Sequence, residues 1–572
     1  MIQHIERRRG QRAWAKFGWA LVGMLGVGCG VWGQAGRGGQ AGQMPVPADA
    51  RPRLVVGITV DQMRPDYIFR YWDDFEEGGF KRLYSGGFVC ADHHFGYAPT
   101  FTGPGHASIF TGTTPAFHGI LANDWFDRKS GTSVYCAEDS AVRGVGTRYP
   151  EDKDGRMSPH RMQASTLGDE LKLASNHRSR VVGISMKDRG AILPAGHAAD
   201  GAYWFRGKDE GVFISSTHYM DALPDWAAAW NQKRQAEQLL RAGWDLLLPA
   251  DRYDESYPDN NPFEGPFKGS PSPTFPYNLQ ALADANGGYD ILKATPAGNV
   301  LLVDFAIAAL EGERLGKDDF TDLLAVSFSS PDYVGHQFGV HARETQDTYL
   351  RLDRELARFF EALDQRVGEG QWLVWLSADH AGAPVPSLVE AQQWPVGYWK
   401  PGNMVDAVRA DLVARYGEDL LLRYSNDQFF LDRPRIRALG LDLARIQGQI
   451  QQTALEQPEV LLAVTSTELL GGGGLGDDFR DRLRMGHHAY GSGDVVVVTR
   501  PGWIQYGRTG TTHGSPFPYD THAPLIFYGW GVKPGTTYAR THIRDIAPTV
   551  AAMIHSPMPN ACTGRVITDL FE

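Results

Sequence analysis

Acid and imidazole side chains collect where short apolar runs of the chain end. Asp379 and His380 follow the run 372–376, and Asp332 and His336 follow the run 323–328. The four-residue spacing of that second pair puts both side chains on one face of a helical turn. Asp61 closes a third run, 54–60, and Lys187 and Arg189 follow a fourth, 181–184. Carboxylates and imidazoles gathered in this way are oxygen and nitrogen donors suited to Zn²⁺, with Mn²⁺ or Mg²⁺ as harder alternatives. With 67 acids and 18 histidines in the chain, isolated pairs also arise by chance, and Asp92-His93-His94 and His487-His488 are of that type. Position after a buried run is what separates Asp379-His380 and Asp332/His336 from them.

The stretch Thr100-Phe101-Thr102-Gly103-Pro104-Gly105-His106 offers a nucleophile. Pro104 suits the first turn of a helix, so Thr102 is expected just before that turn, where free amides and the positive dipole end favour a phosphate group. A plain N-cap is the other use of a threonine here. A threonine hydroxyl attacks poorly at neutral pH, and coordination to a cation is a way to stabilise its alkoxide.

These residues need elements that bring them together. The apolar runs are short, rich in β-branched residues and separated by helix-like segments, the pattern of parallel strands covered on both faces by helices. Residues 344–367 illustrate such a helix, because Tyr349, Leu352, Leu356, Phe359, Phe360 and Leu363 recur at three- and four-residue intervals. In open α/β sheets ligands bind beyond the carboxyl ends of the strands, so Asp61, Lys187, Asp332 and Asp379 are expected at one sheet edge. Two regions break the alternation and read as insertions. One spans about 207–299, a loop-rich cap with six prolines between Pro258 and Pro276; the other spans about 382–493, with a helical stretch at 404–416 and a glycine run at 471–474.

In order and type, Val60-Asp61-Gln62-Met63, Thr102-Gly103-Pro104-Gly105-His106, His118-Gly119-Ile120-Leu121-Ala122-Asn123, Asp332-Tyr333-Val334-Gly335-His336, Asp379-His380 and Thr512-His513-Gly514 resemble the alkaline phosphatase superfamily, in its phosphodiesterase/nucleotide pyrophosphatase-like section. The resemblance runs from Leu54 to Phe571. It implies a three-layer α/β sandwich with a largely parallel sheet, Thr102 as nucleophile and Asn123 as a contact to the substrate phosphoryl group. It also implies two Zn²⁺ ions, one held by Asp332, His336 and His513, the other by Asp61, Asp379, His380 and the Thr102 oxygen. Ser185-Met186-Lys187-Asp188-Arg189 resembles the Lys-x-Arg element of the PafA-like, phosphate-irrepressible alkaline phosphatase branch, in which both cationic side chains contact the phosphoryl oxygens. A monoester dianion carries more oxygen charge than a diester, so Lys187, Arg189 and Asn123 together favour monoesters. The expected activity is therefore hydrolysis of small-molecule phosphate monoesters through a phosphothreonine intermediate. The alternatives are a phosphodiesterase or nucleotide pyrophosphatase on the same bimetal site, or a non-catalytic protein binding metal or phosphate. Sulfatases of the superfamily use C/S-x-P-x-R, which this chain lacks.

Composition sets the outer limits. A chain of 572 residues, 42% hydrophobic and 22% charged, is globular and excludes disordered, collagen-like and multi-pass membrane classes. A net charge of −11 without an extended basic block argues against non-specific nucleic-acid binding. Arg7, Arg8, Arg9, Arg12 and Lys16 precede an uncharged stretch from 17 to 36, the layout of a secretory signal over residues 1–33, followed by a flexible linker over 34–50 and a catalytic domain over 51–572. Export is implied, with the periplasm as destination and a lipid anchor at Cys29 or full secretion as alternatives; no stable membrane span is expected after processing. Four cysteines are too few for a disulfide scaffold, although Cys90 and Cys136 could pair in an oxidising compartment with Cys562 free.

Overall fold

The computed structural model describes residues 51–471 and 478–571, so the expected signal (1–33) and linker (34–50), with Cys29, lie outside the described residues. Every residue of β1 (Leu54–Val60) is buried, as an apolar run covered on both faces must be. The strands that join it are β2 (Phe88–Cys90), β3 (Gly144–Val145), β4 (Val181–Ser185), β5 (Gly201–Arg206), β6 (Val212–Ser216), β7 (Asp322–Phe328) and β8 (Trp372–Ser377). A separate four-stranded sheet follows, made of β9 (Leu421–Ser425), β10 (Gln428–Leu431), β11 (Val460–Thr465) and β12 (Val495–Thr499), before β13 (Leu525–Gly529) and β14 (Gly535–Thr537) return to the main sheet.

The main sheet has the order β14-β2-β13-β8-β1-β7-β4-β5-β6-β3. Its centre, β8-β1-β7-β4-β5, is parallel throughout, while β13 and β6 run antiparallel to their neighbours. The main helices are α1 (Thr102–Thr111), α2 (Leu167–Ala174), α3 (Asp188–Ala195), α4 (Ala297–Gly312), α5 (Ser330–Phe338), α6 (Arg343–Arg366), α7 (Gly402–Tyr416) and α8 (Leu443–Leu455).

Small residues decide which helices lie on which face. Gly57, Ala325 and Gly183 are in register across β1, β7 and β4, and so share one face. A Cβ on Gly57 would sit 2.4 Å from Trp375 and 2.9 Å from Phe110 of α1, and one on Gly183 would sit 2.2 Å from the Ala191 carbonyl of α3. On this face α1 and α3 therefore approach the sheet closely. Tyr203, which pairs with Ile184, points to the opposite face and packs on Phe305 of α4; Trp372, opposite in parity to Trp375, stacks on Phe360 of α6. The result is the expected three-layer sandwich.

Three local expectations are corrected or sharpened. Thr102 is the first residue of α1 and not the residue before it, since Phe101 takes the extended N-cap conformation. Cys90, Cys136 and Cys562 are all free, so no Cys90–Cys136 bridge forms. The residues from 382 to 493 hold α7, at the helical stretch expected over 404–416, and also α8 and three strands whose sheet is completed by β12. Among the described residues no helix is long and apolar enough to cross a membrane.

Candidate active site

The parallel strands deliver the reactive residues to one edge. Asp61 follows β1, Lys187 follows β4, Asp332 and His336 lie on α5 just after β7, and Asp379 and His380 follow β8. Thr102 arrives from α1, and His513 from the loop before β13. Asp61, Asp379 and His380 are 0% exposed and Thr102 1%.

Two overlapping donor sets result. Ligand atoms of Asp61, Asp379 and His380 lie within 4.8 Å of one another, as do those of Asp332, His380 and His513. His336 Nε2 is 3.1 Å from Asp332 Oδ1, and His513 Nε2 is 3.7 Å from the same oxygen. The His380 and His513 rings stack with centroids 3.4 Å apart, which joins the two sets. Thr102 Oγ1 is 3.5 Å from His380 Nε2.

Each histidine is tied from behind. Nδ1 of His336 donates to the Thr511 carbonyl at 2.7 Å, that of His513 to the Thr100 carbonyl at 2.7 Å, and that of His380 to the Ala381 carbonyl at 3.0 Å. A carbonyl can only accept, so Nδ1 carries a proton and Nε2 is the ring nitrogen turned to the site, able to give its lone pair to a cation once deprotonated. Asp61 Oδ1 and Asp379 Oδ2 are buried without a hydrogen-bond partner. Unpartnered buried carboxylate oxygens and aligned imidazole lone pairs are the donor chemistry of a divalent cation, and these residues fit one.

Lys187 stands between the sets. Its ammonium donates to Asp61 Oδ2 at 2.6 Å and to Asp332 Oδ2 at 2.5 Å. Burial and the Asp332 carboxylate push the Asp61 pKa up, but Lys187 and His380 outweigh them and hold it below the ordinary range. Asp332 is likewise held well down against burial, by His336 and Lys187. Burial and the Asp61 charge raise Asp379. His380, disfavoured as a cation by burial, is nevertheless raised to about 9 by Asp379 and Asp61. Burial and the neighbouring His380 push His513 well below its usual value.

Arg189 is placed farther along, with Nη1 donating to the Tyr135 hydroxyl at 3.0 Å. Asn123 accepts the Gly103 amide on Oδ1 at 2.8 Å, which ties it to the first turn of α1 and leaves its amide N–H groups as donors.

Two contributors went unassigned in the sequence, although both sit inside the quoted motifs. Gln62 donates from Nε2 to Asp332 Oδ1 at 2.9 Å and from its backbone amide to Asp379 Oδ1 at 3.3 Å. His106 contacts the Thr102 carbonyl at 2.9 Å and Ser327 Oγ at 2.7 Å, with Nδ1 3.2 Å from Asp379 Oδ2. Asp92-His93-His94 and His487-His488 belong to neither donor set.

Residues 55–524 match the family model for type I phosphodiesterase / nucleotide pyrophosphatase. The chain belongs to this family. It is 41% identical to alkaline phosphatase PafA of Elizabethkingia meningoseptica over 93% of this chain and 97% of that protein. Identity to alkaline phosphatase PhoV of Synechococcus elongatus is also 41%, over 91% of this chain and 94% of the relative. The crystal structure of wild-type PafA superposes with a TM-score of 0.87 at 40% identity, covering 92% of this chain and all of that one. The sandwich is thus of the alkaline-phosphatase-like kind.

Proposed function

We propose that this family member is an exported phosphomonoesterase, an alkaline phosphatase dependent on two Zn²⁺ ions and acting through phospho-Thr102. The observation that carries the reading is Thr102 at the first turn of α1, 3.5 Å from His380 and beside two donor sets bridged by Lys187. Similarity to two proteins named alkaline phosphatase supports it.

Asp61, Asp379, His380 and Thr102 would hold one ion, and Asp332, His336 and His513 the other. Bound there, such ions neutralise phosphoryl charge and stabilise entering and leaving oxygens. The chain supplies the rest. Thr102 Oγ1 gives up its proton and attacks phosphorus, the leaving-group oxygen departs with its electron pair and takes up a proton, and the phosphoryl group rests on Thr102. Asn123, pinned through Oδ1 to the Gly103 amide, turns its N–H groups to a phosphoryl oxygen. Lys187 exchanges its carboxylate partners for phosphoryl oxygens, and Arg189 adds a second cationic contact. Water then attacks phospho-Thr102, releasing phosphate and restoring the hydroxyl.

A diesterase reading draws on the family's own description. Turnover of p-nitrophenyl phosphate against bis-p-nitrophenyl phosphate decides between them. The monoester is expected to be preferred, with a phosphorylated Thr102 peptide trapped by acid quench and mass spectrometry, and Thr102→Ala is expected to lose turnover while keeping its metal. A diester preference would reverse the order.

A further inference from the structure

The cap over residues 207–299 places two lysines, Lys208 and Lys293, in one cavity with Lys187 and Arg189. This cavity of about 130 Å³ is lined by Lys187, Arg189 and Tyr333 together with Lys208 and Lys293 of the cap, and its cationic side chains outnumber the three carboxylates of the same lining, Asp154, Asp188 and Asp290. At roughly 30 Å³ per water, it has room for a group of about four or five heavy atoms.

The cap side is built rather than incidental. The Tyr289 amide donates to the Lys208 carbonyl at 2.9 Å, and Lys208 forms an isolated bridge with Gly288. Gly207 is pressed so closely on Asp290 that a Cβ would meet its Oδ1 at 2.3 Å. These contacts clamp the tip of the β5–β6 hairpin to the 3₁₀ helix Tyr289–Ala294, which carries Lys293. Lys293 Nζ is 2.7 Å from Asp290 Oδ1, and its side chain is only 18% exposed; Lys208 pairs with Asp154. Arg206 also borders the cavity, but Asp152, Asp209 and Glu210 occupy its guanidinium. Each of the two lysines has one carboxylate partner, Asp154 for Lys208 and Asp290 for Lys293, and a phosphate dianion offers each a charge-assisted alternative.

We propose that Lys208 and Lys293 form a second anion subsite, which makes the preferred substrates phosphate monoesters whose leaving group carries a second phosphate. This rests on the phosphomonoesterase reading. While Lys187 and Arg189 hold the group being transferred, the cap lysines hold the one that leaves intact, so the subsite selects substrates without taking part in bond breaking.

The test compares kcat/KM for fructose 1,6-bisphosphate and fructose 6-phosphate, with p-nitrophenyl phosphate as control, in the zinc-loaded wild type, Lys293→Gln and Lys208→Gln. The wild type is expected to favour the bisphosphate by about tenfold. Each variant is expected to lose most of that ratio through KM, while hydrolysis of p-nitrophenyl phosphate stays within about twofold of wild type. Equal kcat/KM for both sugars in the wild type, or a preference surviving in both variants, would overturn the subsite. Failure to hydrolyse p-nitrophenyl phosphate at all would instead sink the phosphomonoesterase reading beneath it.

Discussion

Gln62 touches both donor sets at once, through its side chain to Asp332 and its backbone amide to Asp379. To do so it adopts φ 62°, a left-handed conformation that a non-glycine residue takes only at a cost of about 1–3 kcal/mol. The packing that enforces it is visible: a Cβ on Gly335 would fall 1.9 Å from Gln62 Oε1. Gln62→Leu leaves Asp332 without that donor, and loss of such an orienting hydrogen bond costs about 10–100-fold in metal affinity or activity. A chelator-competition titration and kcat/KM at saturating zinc check this, and an unchanged zinc affinity would assign Gln62 a packing role only. Lys187 makes a different prediction. If it serves the extra charge of a monoester dianion, Lys187→Ala lowers monoesterase activity more than residual diesterase activity. Equal losses on the two p-nitrophenyl substrates would show that it only spaces Asp61 from Asp332.

At the scale of elements, α1 must lie almost against the turn after β8 for Thr102 to reach His380. Gly105 permits this, because a Cβ there would sit 2.2 Å from the Asp379 carbonyl. Gly105→Ala therefore costs about 1–3 kcal/mol of overpacking, and activity falls further than stability because Asp379 moves with its carbonyl; thermal melts and kcat/KM together read the two effects. A second joint is sensitive to pH. Asp169 closes a capping box with Thr166 at the start of α2 and accepts from His197 Nδ1 at 3.1 Å. That hydrogen bond raises the His197 pKa above 6.5 against the opposing effect of burial. Protonation is thus favoured in the folded state, and the stabilisation is complete below about 6.5 and lost as pH rises through the folded value. The gap in melting temperature between wild type and His197→Ala is expected to be wider at pH 6 than at pH 9, and a gap equal at both would refute the linkage. Neither joint was legible in the sequence. Strand β1 was, because seven successive apolar or small residues ending at an aspartate leave few other readings. Gly105 and the Asp169–His197 pair take their meaning from partners more than 20 residues away, and no local pattern encodes those distances.

For the whole molecule the same division holds. Asp61, Asp379-His380 and Asp332/His336 could be singled out because parallel strands end abruptly and their ends must share an edge. His513 needed the resemblance, since it comes from a loop, and the four-stranded sheet went unseen because its last strand, Val495–Thr499, lies beyond the helices that define the insertion. What the fold assembles is a concentration of buried negative charge that the protein offsets only in part. Asp379 Oδ2 has no hydrogen-bond partner, and burial with the Asp61 charge raises its pKa. A cation that binds only the folded chain then stabilises it by about 2.7 kcal/mol when present at 100 times its dissociation constant. Chelation is accordingly expected to lower the melting temperature and abolish turnover, and zinc to restore both. Asp379→Asn separates this electrostatic account from ordinary packing. In chelator the variant is expected to melt at or above wild type, because the repulsion with Asp61 is gone. In zinc it is expected to melt below wild type, because a donor is missing. Were Asp379→Asn destabilised to the same extent in both conditions, charge would not be what the metal relieves, and the cation assigned to Asp61, Asp379 and His380 would lose its physical basis.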